Sequence, residues 1–187
     1  MNRVEDWVRN RDRHAYTVVA QQGAEPTVDD VATFEKAIGF EFSDEFRDYL
    51  VHPLGGLVVE VVEKLWPRPK EFDVGPAWSF CFGLYAYSLS PEAPEWLSMQ
   101  KAWDGMRVKG YPQYLPVLRL AGDADRYCLT KSGDLVIWRH ETPDTPDAFD
   151  GDFLDALTYE LTELEGRKNR KIRLSKDEKS FIPPKTS

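Results

Sequence analysis

Two carboxylates two positions apart, and a histidine beside a glutamate, are the residues best suited to chemistry. Asp123 and Asp125 could hold a cation or act as paired acids, and His140 with Glu141 could form an acid–base pair. Carboxylates at this spacing are common in turns, and neither pair comes with a third group that would orient it. Turn and surface hydrogen-bonding roles are therefore favoured over metal binding and catalysis.

The sequence lacks the patterns that mark common catalytic and metal sites. Its histidines, His14, His52 and His140, do not share a metal-ligand spacing, and no HExxH, G-x-S-x-G, P-loop or GxGxxG pattern occurs. Cys81 and Cys128 lie among apolar residues without a CxxC partner, which favours two reduced thiols. A disulfide would require their strands to be neighbours. We expect no cofactor, no metal and no enzymatic activity.

Charge is distributed unevenly along the chain. The sequence has 24 basic and 32 acidic residues; residues 167–187 hold 8 basic and 2 acidic ones, which leaves residues 1–166 with a net charge of −14. No Lys or Arg occurs between Arg139 and Arg167. An acidic body repels phosphates, so nucleic acid is not expected as a direct ligand, whereas a basic protein partner would be attracted. The basic extension is typical of a helix C-terminus or of a segment that folds back, with RNA or anionic lipid as alternative ligands.

Length and hydropathy limit the domain organisation and the compartment. The 187 residues, of which 13% are aromatic, suit one sizeable domain over 1–187. No run of about 18 apolar residues occurs, which argues against a membrane span. The N-terminus is charged and has no apolar stretch of the signal-peptide kind. These features predict a cytoplasmic protein without a membrane partner.

Helices are predicted in the first third of the chain. Residues 3–16 show a helical spacing of apolar positions, and residues 16–20 could be either the end of that helix or a short strand. Thr27 and Ser43 are typical N-cap residues, so a helix should begin after each of them. Gly39 can end the first of these two helices in a left-handed conformation.

Strands are predicted in the middle of the chain from β-branched and aromatic runs. They fall at residues 57–62, 78–89, 113–120, 126–130 and 135–140, and the segment 78–89 is one strand or two with a break near Gly83. Lys131–Asp134 between the last two is a strong hairpin signal. A Pro-containing loop is predicted over 65–74, and a helix over 92–107. Along the last strand, Trp138 and Arg139 should face opposite sides of the sheet.

A further helix is predicted near the C-terminus. Its apolar spacing begins at Phe153, and Asp150 or Asp152 could cap it. Gly166 is a candidate end for this helix. Residues after about Leu174 are predicted to form a polar tail.

The order of these elements resembles the SMI1/KNR4 (SUKH) superfamily. Residues 34–39 and 42–50, followed by the Gly55-Gly56 pair, resemble the opening of that family, in which a helix with a Glu near its end leads into a second helix and a glycine turn. The block 115–141 is similar to the second half of the family, and residues 149–157 resemble its closing helix.

The resemblance covers about residues 28–160 and implies both a fold and a way of acting. The fold would be α+β, with a central, mostly antiparallel sheet flanked by helices. Most bacterial members are thought to be immunity proteins that neutralise a cognate polymorphic toxin, often a nuclease or deaminase, and fungal relatives are regulatory scaffolds. Ser43 stands where the family usually has Pro, and the basic extension after Gly166 is not a core family feature.

The resemblance therefore implies an immunity protein that occludes the active site of a toxin. The side chains predicted to contact the toxin are Asp123, Asp125, His140, Glu141, Asp144 and Asp147. A regulatory scaffold or adaptor protein is the alternative. An enzyme that uses Asp123, Asp125 and His140 is the third hypothesis. The oligomeric state is not predicted by the sequence.

Overall fold

The computed structural model describes residues 1–21, 24–68, 81–122 and 124–180. In this part of the chain the helices are α1 (Asn2–Asn10), α2 (Val28–Ile38), α3 (Asp44–Val51), α4 (Met99–Val108) and α5 (Phe153–Ser180), with a 3₁₀ helix over Glu95–Leu97. The strands are β1 (Tyr16–Val19), β2 (Val58–Val61), β3 (Gly83–Tyr85), β4 (Tyr114–Arg119), β5 (Arg126–Thr130), β6 (Leu135–Trp138) and β7 (Asp147–Ala148). The predicted α+β class is confirmed.

The strands pair antiparallel and form two sheets. One sheet has the order β1-β2-β3, and the other has the order β4-β5-β6-β7. The sheets meet where Ala86, just after β3, bridges to Leu118 of β4, and where Tyr87 N–H donates to the Val117 carbonyl at 3.0 Å. The predicted antiparallel sheet is therefore divided into two sheets, which meet at β4.

Helix α5 closes the apolar core over both sheets. Its buried apolar residues recur every three or four positions and are Phe153, Ala156, Leu157, Leu161 and Leu164. The Phe153 ring packs on Phe46 and Tyr49 of α3, with ring centroids 4.9 Å and 4.6 Å away. One apolar cluster therefore joins the helices to β2 and β4, and the loops at the sheet ends are left at the surface.

The helix pair α2–α3 begins and ends where the sequence predicts. Thr27 and Asp30 form a reciprocal capping box, and Gly39 ends α2 with φ of 71°. Glu35 then joins the two helices, because its carboxylate accepts from Phe42 N–H at 2.6 Å and from Arg47 Nη2 at 2.7 Å. The hydrogen bonds from Arg47 hold the pKa of Glu35 below its ordinary value.

The Gly55-Gly56 pair fits against a buried glutamine. Gln21 Nε2 donates to the Leu50 carbonyl at 2.6 Å, and Gln21 Oε1 accepts from Ser88 Oγ at 2.7 Å. A Cβ on Gly55 would collide with the Gln21 side chain, and Gly56 has φ of 62° and a Cβ there would collide with the Ser88 side chain. Glycine is needed at both positions because the backbone lies directly on these side chains.

Two predicted boundaries in the first two thirds of the chain are wrong. The first helix ends at Asn10 and not at residue 16, and residues 16–19 form β1, which pairs with β2 through Tyr16 and Val61. Pairing with β2 gives Tyr16–Val19 partners that a helix end would not. The helix predicted over 92–107 begins only at Met99, because Ser98 caps it after the 3₁₀ turn.

The C-terminal helix is longer than predicted. It is capped by Asp152, whose carboxylate accepts from Asp155 N–H at 2.8 Å, but it continues through Gly166 to Ser180. Arg167 favours this continuation, since its Nε donates to the Cys81 carbonyl at 3.1 Å. Lys168 adds a contact with its ammonium 4.7 Å from the centre of the Tyr16 ring. The prediction of a polar tail from 174 is therefore wrong as far as residue 180.

Some predictions fall outside the described residues. They concern residues 69–74 of the predicted loop, residues 78–80 of the predicted strand 78–89, and residues 181–187 of the tail. Among the helices that the structure describes, none combines the length and apolarity that crossing a membrane requires. Both cysteines are unpaired; Cys128 is buried and Cys81 is half-buried.

Candidate functional site

The candidate site lies at the open end of the β5–β6 hairpin, away from its turn. The antiparallel register pairs Arg126 with Trp138, which places Asp125 opposite Arg139 one step further along. The Asp125 carbonyl also closes the β4–β5 connection, because it accepts from Leu120 N–H at 3.1 Å. Strand pairing therefore brings together two oppositely charged side chains that are 14 residues apart.

Asp125 is buried and is surrounded by donors from its own chain. It is 4% exposed and accepts from His140 N–H at 2.9 Å, His140 Nδ1 at 2.7 Å and Arg139 Nη1 at 3.0 Å. Burial alone would raise the pKa of Asp125, but the hydrogen bonds from His140 and Arg139 outweigh it and hold that pKa below its ordinary value. The structure thus gives this carboxylate the role of positioning Arg139 and His140, and direct contact between Asp125 and a partner stays a prediction.

Arg139 links the hairpin to β7. Its Nε donates to Asp147 Oδ2 at 2.9 Å while Nη1 is bound to Asp125. These two carboxylates raise the pKa of the Arg139 guanidinium. The Asp147 side chain remains 59% exposed. Trp138 is buried, so the predicted alternation of Trp138 and Arg139 across the sheet is confirmed.

His140 is oriented by Asp125 and still reaches the surface. Its side chain is 41% exposed. An ionised carboxylate can only accept hydrogen bonds, so the short contact requires the proton on Nδ1. A histidine held in this way can act as an acid–base group, or it can present a fixed imidazole to a bound protein. In the described ranges, no group of three or more His, Cys, Asp or Glu side chains is arranged to hold a metal ion.

The segment after His140 carries two exposed carboxylates, Glu141 and Asp144. Burial and the neighbouring Asp144 carboxylate raise the pKa of Tyr111. The Tyr111 ring packs edge-on against Trp138 with centroids 5.8 Å apart. Asp144 therefore lies beside an aromatic pair that packs on the hairpin.

The structure places five of the six predicted residues in one part of the molecule. Three are joined in one hydrogen-bonded network: Asp125, His140 and Asp147. Glu141 and Asp144 lie on the segment between His140 and Asp147. Asp123 lies outside the described residues. We call Glu141, Asp144 and Asp147 the acidic face, since they are the exposed carboxylates of this site.

Sequence reasoning missed two residues that shape the site. Arg139 had a partial signal: counting outward from the predicted turn at Lys131–Asp134 puts it opposite Arg126, one residue from Asp125. The observed register, which pairs Leu129 with Leu135, shifts it to Asp125. No sequence signal pointed to Tyr111, because it lies in the connection between α4 and β4. Only tertiary packing brings it near Asp144.

Comparison with known proteins adds no relative. No model of a known protein family matches this chain, and no curated protein matches it either. The resemblance to the SMI1/KNR4 superfamily therefore stays a prediction from its residues, and the functional argument depends on the geometry of the site.

Proposed function

We propose that this protein is a cytoplasmic immunity protein of the SMI1/KNR4 type, which binds a cognate bacterial toxin and occludes its active site. The observation that carries the proposal is the acidic face, three exposed carboxylates in a stretch of 27 residues without Lys or Arg. The order of helices, glycine turn and hairpin that resembles the family supports the same conclusion.

The chemistry of the acidic face suits a basic cleft. Toxins that cut nucleic acid bind phosphates with clustered Lys and Arg, and carboxylates of similar spacing compete for those cations. Arg139 holds Asp147, with 2.9 Å between Arg139 Nε and Asp147 Oδ2. Because this carboxylate is already fixed, binding has one side chain fewer to order, and this lowers the entropy cost of association.

The direct test begins by reading the genes that neighbour this one for a toxin domain, which is then purified. We expect the purified protein to bind that domain and to abolish its activity, with calorimetry giving the dissociation constant. Reversal of charge at Glu141→Lys or Asp144→Lys should raise that constant about tenfold each. Glu63→Lys is the matched control, because Glu63 is equally exposed but follows β2 in the other sheet.

The outcomes separate the parts of the proposal. Failure to bind or inhibit the neighbouring toxin would overturn the immunity function, and would leave a scaffold role to be sought by pull-down from the native cell. Inhibition that is insensitive to Glu141→Lys and Asp144→Lys would show that another surface contacts the toxin.

The Asp125–His140 pair is the specific observation that favours a second candidate function, an acid–base enzyme. The pure protein would then turn over a small compound, and His140→Gln would abolish that turnover. Toxin inhibition that survives His140→Gln, without any turnover, favours the binding function.

A further inference from the structure

The two halves of α5 carry opposite charges. From Phe153 to Gly166 the helix has four acidic residues and no Lys or Arg, whereas from Arg167 to Leu174 it has five basic residues and no Asp or Glu. Part of this charge points inward, as in the ion pair of Arg167 with Glu160. Lys168 is buried as well, and Asp155 is paired with Arg3. The remaining charges are half-buried or exposed, and they are Glu163 and Glu165 at one end of the helix and Arg170, Lys171 and Arg173 at the other.

The outer side of α5 presents one continuous face. Tyr159, Thr162, Gly166, Arg170 and Arg173 recur at intervals of three or four, so their side chains share this face. The Tyr159 side chain is 53% exposed. A Cβ on Gly166 would meet no atom within 4 Å, so the centre of the face is open. In the part of the chain that the structure describes, neither Arg170 nor Arg173 takes part in an ion pair.

We infer that this face binds a second copy of the chain, with the two α5 helices antiparallel and the two-fold axis close to Gly166. Residues equally far from Gly166 on either side then lie opposite each other, so Tyr159 faces Arg173 and Thr162 faces Arg170. Glu163, next to Thr162, then lies near Arg170 of the other copy, and the two-fold axis repeats this pairing of opposite charges. A two-fold contact requires a self-complementary patch, and this distribution of charge supplies one.

Gly166 suits the crossing point. Packed helices lie about 8–10 Å apart, and the lower end of that range requires small residues where they cross. Arg173 of one copy can then lie over the Tyr159 ring of the other, within the roughly 6 Å that a cation–π contact needs. Parallel packing would instead place like charges together. The acidic face of the candidate site is not part of this contact, so the inference does not depend on the proposed function.

Sedimentation of the full chain over a range of protein concentrations tests the inference. We expect a monomer–dimer equilibrium, weakened by added salt. Gly166→Gln should raise the dimer dissociation constant at least about tenfold, because a long side chain separates the helices. Gly166→Ala is the control, because a methyl group fits the open space and should leave the dimer largely intact. Circular dichroism verifies that both variants are folded.

Charge exchange provides a second test. One variant carries Glu163→Lys with Glu165→Lys, and the other carries Arg170→Glu with Arg173→Glu. Each should be monomeric alone, and an equimolar mixture should form a heterodimer. A wild-type chain that stays monomeric at all concentrations, a dimer that Gly166→Gln and both charge variants leave unchanged, or growth into open-ended assemblies would each overturn the inference.

Discussion

At the scale of single residues, Asp125 determines the geometry of the candidate site. It fixes the imidazole of His140 and one side of the Arg139 guanidinium, and these two residues precede and anchor the acidic face. A buried carboxylate with three donors costs little to keep ionised, because each donor replaces a lost water.

Asp125→Ala should destabilise the protein. The change removes three hydrogen bonds and leaves the His140 N–H without its acceptor, and we expect a loss of about 2 kcal/mol in the free energy of unfolding. Urea denaturation measures it. Glu141→Ala, at an exposed neighbouring carboxylate, should change stability by less than about 0.5 kcal/mol. Equal effects of the two substitutions would contradict the role given to Asp125.

The contribution of Asp125 should depend on pH. Its pKa is lower in the folded protein than the value of about 3.9 in an unfolded chain, so the carboxylate stabilises the fold above that pH. The stabilisation is lost as the pH falls through the folded pKa, below about 4. The difference in unfolding free energy between wild type and Asp125→Asn should therefore be constant near neutral pH and shrink in acid. A difference that grows in acid would show the opposite sign of the pKa shift.

At the scale of elements, side chains fix how neighbouring segments meet. Glu35 joins α2 to α3, and Gln21 joins the residues after β1 to the end of α3 and to the glycine turn. Each uses one polar side chain with several partners, beside the apolar packing of the same part of the chain.

The glycine turn can be tested with two substitutions of the same kind. Gly55→Ala places a methyl group against the Gln21 side chain and the Tyr49 carbonyl, so we expect a loss of about 2 kcal/mol from overpacking. Gly105→Ala in α4 meets no atom within 4 Å and should gain about 0.5–1 kcal/mol from helix propensity. Thermal or urea unfolding compares them. Gly55→Ala as stable as wild type would mean that the turn has room that the structure does not show.

At the scale of the whole molecule, charge separates along the chain. Residues 1–166 carry a net charge of −14, and the basic residues that follow lie mainly in the C-terminal half of α5. The body therefore attracts cationic surfaces at long range, whereas the basic half of α5 offers a separate place for anionic ones.

Association with a basic toxin should accordingly depend on salt. Raising the salt concentration from about 50 mM to about 500 mM should lower the association rate constant about tenfold and change the dissociation rate constant much less. Stopped-flow or surface-based kinetics with a toxin domain that the protein inhibits measures both constants. An association rate that does not change with salt would remove the electrostatic basis of the proposed function.

Local signals in the sequence determined much of this fold. The N-caps Thr27 and Ser43, the left-handed Gly39 and the hairpin turn at 131–134 were all predictable, because each depends on residues within one or two turns of each other. The acidic stretch after Arg139 was equally evident from composition alone. These features predicted the α+β class and the region of the candidate site.

Contacts between distant residues decided the rest. Tyr16–Val19 is a strand because β2 pairs with it, and α5 passes Gly166 while Arg167 and Lys168 contact β3 and Tyr16. The burial of Asp125 likewise follows from strand register and from the fold around it. A sequence shows which residues can accept a hydrogen bond or fill a core, but partners far along the chain are chosen only when apolar burial brings those segments together.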